Sequence, residues 1–167
     1  MKVSDIKIRK AKPQESESLS ALAIRSKAHW NYSDEFLQDC MEELSYTAEQ
    51  ISHPNHWFYV ASLNDQIQGF YQLVKITPDE IELEALFVEP KLVGQRLGKI
   101  LFEHAIQLAT NEDFSKVQIQ SDPNATEFYL KMGCTKTGEL ESQSIPGRFL
   151  PLLSFDLRST TKKQTRN

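Results

Sequence analysis

Two glutamates, Glu82 and Glu84, are separated by one residue in Ile81-Glu82-Leu83-Glu84-Ala85-Leu86-Phe87-Val88, a stretch that opens in strict apolar and polar alternation. Residues i and i+2 of a strand share a face, so the two carboxylates project together. They share a proton-accepting role, or raise each other's pKa, or form an ordinary solvated face. Directly after them, Val88-Glu89-Pro90-Lys91-Leu92-Val93-Gly94-Gln95-Arg96-Leu97-Gly98-Lys99 joins that strand to a helical pattern through two glycines. Free backbone N–H groups at a helix start, with the positive end of the helix dipole, make an anion site that a diphosphate can approach closely where side chains are missing. Glycines so placed also serve only to turn a chain or to pack a helix on a sheet. The spacing is neither GxGxxG nor GxxxxGK followed by Ser or Thr, which disfavours dinucleotide and P-loop cofactors. Tyr129, in the apolar run Phe128-Tyr129-Leu130, is either core packing or a phenol able to donate a proton.

Other chemistries find little support. Cys40 and Cys134 stand far apart, without CxxC or a zinc-type histidine spacing, so neither a disulfide framework nor a metal is expected. The four histidines form no triad pattern, and His104 reads as a packed histidine. At 167 residues the chain suits one domain, taken as 1–158, followed by a solvated polar and basic tail at 159–167 with Lys162, Lys163 and Arg166. A composition 40% hydrophobic and 25% charged excludes disordered and fibrous classes. A net charge of -4 without a basic run argues against a nucleic-acid partner. Met1 to Lys10 holds no signal-peptide core, and no run approaches the roughly 20 apolar residues of a membrane span. A cytoplasmic protein with no membrane partner is therefore expected.

The elements that must position these residues follow from periodicity. Asp5 to Lys10 alternates as a strand, and Leu19, Leu22, Ala23 and Ser26 trace a helix face to about His29. Ser33-Asp34-Glu35 starts a second helix that runs to about Leu44, with Ser33 as its cap. Trp57–Ala61 and Ile67–Ile76 form a hairpin around Asn64-Asp65, and Ile81–Val88 is a strand whose alternation fails at Ala85-Leu86-Phe87, a sign of a bulge or full burial. A helix spans Arg96 to Thr110, a strand holds Val117 and Ile119, a short helix runs from Asn124 to Met132, and two strands cover about Thr135–Leu140 and Leu150–Leu157. That order demands a mixed α/β (α+β) fold, a central sheet of about seven strands flanked by about four helices.

From about Ile6 to Leu157 the chain resembles the GNAT superfamily of acyl-CoA-dependent N-acyltransferases. Glu82 to Lys99 is similar to that family's strand, phosphate turn and helix, in which an acid, an apolar run, a proline and a glycine turn succeed one another. Asp122-Pro123-Asn124-Ala125, with Phe128-Tyr129-Leu130-Lys131-Met132-Gly133-Cys134, is similar to its motif of Asn followed by FYxKxGF. Two departures stand out. The family's turn has Gln or Arg, two residues, Gly, one residue, then Gly or Ala. Here Val93 replaces the first of these and Arg96 the internal glycine, so a side chain at 96 either pairs with a phosphate or obstructs it.

The resemblance implies transfer of an acetyl group from acetyl-CoA to a primary amine of a small molecule or protein, without a metal. It implies that Glu82, with Glu84 as its competitor, takes a proton from the amine directly or through water, and that Tyr129 supplies one to the departing thiolate. Backbone at Leu86, Phe87 and Val88 would polarise the thioester carbonyl. Val93, Gly94, Gln95, Arg96, Leu97, Gly98 and Lys99 would hold the diphosphate, and Asn124, Phe128 and Lys131 the pantetheine side, although Asn124 is equally a natural helix cap. Substrate choice is expected between the first two helices, where Trp30 and Tyr32 either box an ammonium group or plug the core, and in the hairpin loop Ser142 to Pro151. An acyl-CoA-binding sensor with weak turnover is the alternative reading of Arg96, and an exposed last strand would suit a homodimer.

Overall fold

The structure, a computed structural model, describes residues 2–158. The basic tail expected at 159–167 lies outside the described residues. Seven strands form a mixed sheet: β1 Lys7–Lys10, β2 His56–Leu63, β3 Gln66–Lys75, β4 Glu80–Val88, β5 Lys116–Gln120, β6 Thr135–Glu141 and β7 Phe149–Asp156. Their order across the sheet is β1-β2-β3-β4-β5-β7-β6. Among the described residues, these helices accompany them: α1 Ser16–Ala28, α2 Asp34–Cys40, α3 Ala48–Ser52, α4 Leu97–Asn111 and α5 Thr126–Lys131.

Among the described residues the chain divides into two compact units, one of residues 2–72 and 85–102, the other of 73–84 and 103–158. In the first, β1 pairs antiparallel with β2 from Lys7↔Ser62 to Lys10↔Tyr59. Asn64 and Asp65, at the tip of the β2–β3 hairpin, have φ of 51° and 63°. Positive φ at both central residues is what a tight right-twisted hairpin needs, and Asn and Asp tolerate it best. Leu19, Leu22 and Ala23 of α1 are buried, as are Phe58, Phe70 and Tyr71 of the strands. The helix face predicted from the three- and four-residue spacing is thus the inward one. Ser33 caps α2 as expected, its hydroxyl accepting from the Phe36 N–H at 3.1 Å.

Helix α3 is the element that periodicity missed. Its signal is chemical: Thr47 and Gln50 form a capping box, the Thr47 hydroxyl accepting from the Gln50 N–H at 3.1 Å and the Gln50 side chain accepting from the Thr47 N–H at 2.9 Å. Five residues are too few to show an apolar period.

In the second unit β4 runs parallel to β5, while β7 lies antiparallel between β5 and β6. A parallel pair requires a long crossover, which α4 provides. Ile81, Leu83, Val117, Ile119, Leu153 and Leu157 are buried, so the strand alternation read from sequence sets which face is core.

Candidate active site

The register of β4 on β5 runs Glu80↔Lys116, Ile81↔Val117, Glu82↔Gln118 and ends there, while β5 continues to Gln120 against Leu152 of β7. Glu82 therefore occupies the last rung before the parallel strands part. Ile81 and Leu83 on either side of it are 0% and 3% exposed, which anchors the strand and leaves Glu82 half-buried on the opposite face. Gln120 donates from Nε2 to Glu82 Oε1 at 3.1 Å. Burial pushes the Glu82 carboxyl above the ordinary carboxylate range, with hydrogen bonds from Gln120 and Gln118 opposing the rise. A carboxylate destabilised by burial is a better proton acceptor at neutral pH. Glu84, on the same face, is exposed. Glu82 and Glu84 thus differ in burial, the first half-buried and the second exposed.

Tyr129 sits on α5 in the same unit and is 6% exposed. Burial raises its phenol well above the usual tyrosine value, with Cys134 and Asp122 adding to the rise. It stays protonated at any working pH. Cys134 is itself buried and its thiol pushed up to about 12, so little thiolate exists near neutrality and a nucleophilic role is disfavoured. Phe128 stacks edge-on against Tyr129, with ring centroids 5.2 Å apart, and is half-buried, whereas Lys131, in the last turn of α5, is exposed.

Asn124 is not the helix cap that its type suggested. Helix α5 begins at Thr126 with Ala125 at the cap position, making no side-chain capping bond. The reason is Asp122, whose Oδ1 accepts from both the backbone N–H and the Nδ2 of Asn124, at 2.8 and 3.1 Å. Such a local turn competes with the helix for the same groups and holds Asn124 outside it.

The glycine turn belongs to the first unit. Residues Pro90–Leu92 make a single 3-10 turn, after which Gly94 takes φ 87° and Arg96 φ 69°. Gly94 sits in open space, so its glycine is required by backbone conformation and not by crowding. Arg96, where the resembled family has its internal glycine, adopts a left-handed φ of the kind that favours glycine, at a local cost of about 1 kcal/mol. The N–H of Val93 bonds to Pro90 O at 3.2 Å and that of Gln95 to Leu92 O at 3.2 Å. Among the described residues this leaves the N–H groups of Gly94, Arg96, Leu97 and Gly98, at the start of a 15-residue helix, without a backbone acceptor and able to donate to an anion. Side chains of Arg96 and Lys99 are exposed and add positive charge. The donor set fits a diphosphate.

Several residues that shape this turn gave no motif in the sequence. Glu89 donates its N–H to Gln68 O at 2.8 Å, and its carboxylate is gripped by both Nε and Nη2 of Arg25, at the end of α1. Gly69 lies so close to α4 that a Cβ there would stand 2.9 Å from both Leu101 Cδ1 and Phe87 O. Leu86, Phe87 and Val88 are half-buried at the end of β4, beyond its last rung with β5. These contacts join residues up to 64 apart in sequence and carry no local pattern.

Trp30 and Tyr32 do not form a box with each other. Trp30, 41% exposed, stands edge-on to His29, while Tyr32 stacks on Phe36 at 4.0 Å between centroids. The Lys27 ammonium lies over both rings of that stack, 5.4 and 5.9 Å from their centroids. Asn31 between them turns the chain at φ 62°. His104, half-buried on α4, has its pKa lowered by burial. No group of three His, Cys, Asp or Glu among the described residues is placed to hold a metal ion, and no helix among them is long and apolar enough to cross a membrane.

The chain is 31% identical over 158 residues to a peptidyl-lysine N-acetyltransferase, YjaB, of Salmonella typhimurium, covering 90% of this chain and 97% of that protein. It is 27% identical over 135 residues to the 5-NmdU N-acetyltransferase of Pseudomonas phage PaMx11, covering 80% and 90% respectively. Among solved structures, the PaiA N-acetyltransferase of Thermoplasma acidophilum in complex with coenzyme A shares the fold, with a TM-score of 0.75, 22% identity and coverage of 90% of this chain and 98% of that one. The acetyltransferase (GNAT) family model matches residues 22–134, from α1 through the last residue before β6. The chain belongs to the GNAT family of N-acetyltransferases.

Proposed function

We propose that the protein transfers the acetyl group of acetyl-CoA to the ε-amino group of lysine in a protein, with Glu82 as general base and Tyr129 as general acid. The observation that carries this reading is the half-buried Glu82 carboxyl at the last rung of the β4–β5 ladder, raised by burial and steadied by Gln120. A lysine amine is mostly protonated at neutral pH, so attack on a thioester must be preceded by loss of a proton. Glu82 accepts it, directly or through one water. Acetyl-CoA supplies an activated acyl group whose leaving thiolate is a modest base. The N–H groups of Gly94, Arg96, Leu97 and Gly98 bind its diphosphate, and Arg96 adds a guanidinium. The Tyr129 phenol, held above its usual pKa, acts by hydrogen-bonding the developing thiolate more than by complete early transfer, since a thiol of pKa about 8.5 is the stronger acid. Support for lysine comes from the peptidyl-lysine relatives of Salmonella typhimurium and Escherichia coli, each 31% identical, and from the net charge of -4, which favours cationic substrates.

Incubation of the protein with acetyl-CoA and a panel of lysine peptides, polyamines and aminomethyl nucleosides tests this. Acetylation on lysine Nε above all other amines is the expected result. Turnover confined to small amines removes the lysine assignment. Tight coenzyme A binding without turnover of any amine returns the sensor reading.

A further inference from the structure

The carboxylate of Asp122 faces two partners from different parts of the second unit. Its Oδ1 accepts from the Asn124 N–H and Nδ2, and its Oδ2 stands 3.7 Å from Nη2 of Arg148. Both charged side chains are largely sequestered, at 19% exposure for Arg148 and 18% for Asp122. Arg148 comes from the loop between β6 and β7, which is folded around the buried Ser142. The Ser142 hydroxyl accepts from the N–H groups of Ser144 and Ile145, each at 3.3 Å, and its own N–H donates to Arg148 O at 2.6 Å. Arg148 is closed back on the loop by its N–H to Ile145 O at 3.2 Å. On the other side, Ala125 N–H bonds to Asp122 O at 2.9 Å, and Ser121 N–H to Pro151 O at 2.9 Å. Asp122 is thus held through its backbone and through both carboxylate oxygens.

This arrangement decides which way the Asn124 amide points. A carboxylate only accepts hydrogen bonds, so the amide must turn its nitrogen toward Asp122 and its oxygen away. We propose that Asp122 and Arg148 are positioning residues for the cofactor's pantetheine arm: Arg148 holds the Asp122 carboxylate, and Asp122 sets the Asn124 amide oxygen as an acceptor for an amide N–H of that arm. The proposal rests on the reading of Asn124 as a pantetheine contact. It makes the β6–β7 loop, expected to shape the amine pocket, a determinant of cofactor binding as well. Asp122 has a second reach, since its charge is among the causes that keep the Tyr129 phenol protonated.

Calorimetric titration of the full chain with coenzyme A, and separately with adenosine 3′,5′-bisphosphate, which lacks the pantetheine arm, tests the proposal. Asn124→Ala, Asp122→Asn and Arg148→Ala should each weaken coenzyme A binding about fivefold, the worth of one neutral hydrogen bond, and leave the bisphosphate unchanged. Arg148→Lys, which keeps the charge, should fall between wild type and Arg148→Ala and serves if the alanine variant does not fold. Because Arg148 acts through Asn124, Arg148→Ala should cost nothing further in an Asn124→Ala background. Equal losses for both ligands in Arg148→Ala, or a full additional loss in the double variant, would overturn the proposal in favour of a purely structural ion pair. A loss in Asn124→Ala with none in Arg148→Ala or Asp122→Asn overturns the proposal alone. No loss in Asn124→Ala overturns the Asn124 reading and the proposal together.

Discussion

In the proposed mechanism the turn at Gly94–Lys99 and the strand end at Glu82 act by different physics. In the turn the proposed working groups are backbone N–H donors, so what matters is the path of the chain. Arg96 stands where the resembled family has its internal glycine and holds φ 69°, a left-handed value that is costly for arginine but attainable. At Glu82 the proposed working group is a single carboxylate, its pKa raised by its own half-burial on the face opposite Ile81 and Leu83, with the Gln120 amide opposing the rise. A site made of backbone tolerates substitution only where the new residue can hold the required φ; a site made of one tuned side chain depends on that side chain itself.

Five substitutions sharpen that contrast. Glu82→Gln should produce the largest effect, lowering kcat/KM by about 10³ near neutral pH, within the range of general base catalysis. It should also erase the rising limb of the pH profile, whose midpoint in the wild type lies above the ordinary carboxylate value of about 4.3. The sign for stability is opposite. A carboxyl raised in the folded state is stabilising only while protonated, and its contribution is lost as pH rises through the folded pKa. The glutamine variant should therefore melt higher than wild type at pH 8 and gain nothing at pH 4. Loss of the limb in Glu84→Gln instead would move the base to the exposed carboxylate.

Tyr129→Phe comes next, with kcat down about 10² and coenzyme A affinity unchanged, as expected of a group that acts on the thiolate alone. An unchanged kcat in stopped-flow single turnover would remove the phenol from the mechanism. Gly94→Ala tests the backbone half of the contrast. It forces a Cβ into φ 87° at about 1–2 kcal/mol, and the distorted turn should raise the KM for acetyl-CoA several-fold while kcat holds. The smallest and most informative change is at Arg96. Arg96→Gly relieves the strained φ and should raise stability slightly, by about 1 kcal/mol at most, yet weaken coenzyme A binding through loss of the guanidinium. Tighter binding in this variant would mean that the side chain obstructs the phosphate.

The comparison also explains which parts of the molecule were legible before folding. The alternation over Ile81–Val88 placed Glu82 on its strand, and the hairpin at Asn64-Asp65, the cap at Ser33 and the long helix after the turn were each local patterns with local causes. Short α3 escaped because five residues carry too little period, although its Thr47 to Gln50 capping box was present. Asn124 misled because its type favours a helix cap, and only the competing Asp122 carboxylate showed why it lies outside α5.

The amino-acid sequence by itself determined the mixed strand and helix order, the inward faces and the position of the glycine turn, because each depends on residues within about one helical or strand repeat of one another. Tertiary structure alone decided that Glu82 and not Glu84 is half-buried at the parting of β4 and β5, that Arg25 grips Glu89, and that Arg148 faces Asp122. Burial and ion pairing depend on which distant segments meet, and those separations, 64 residues for Arg25 and Glu89, exceed the reach of any local pattern.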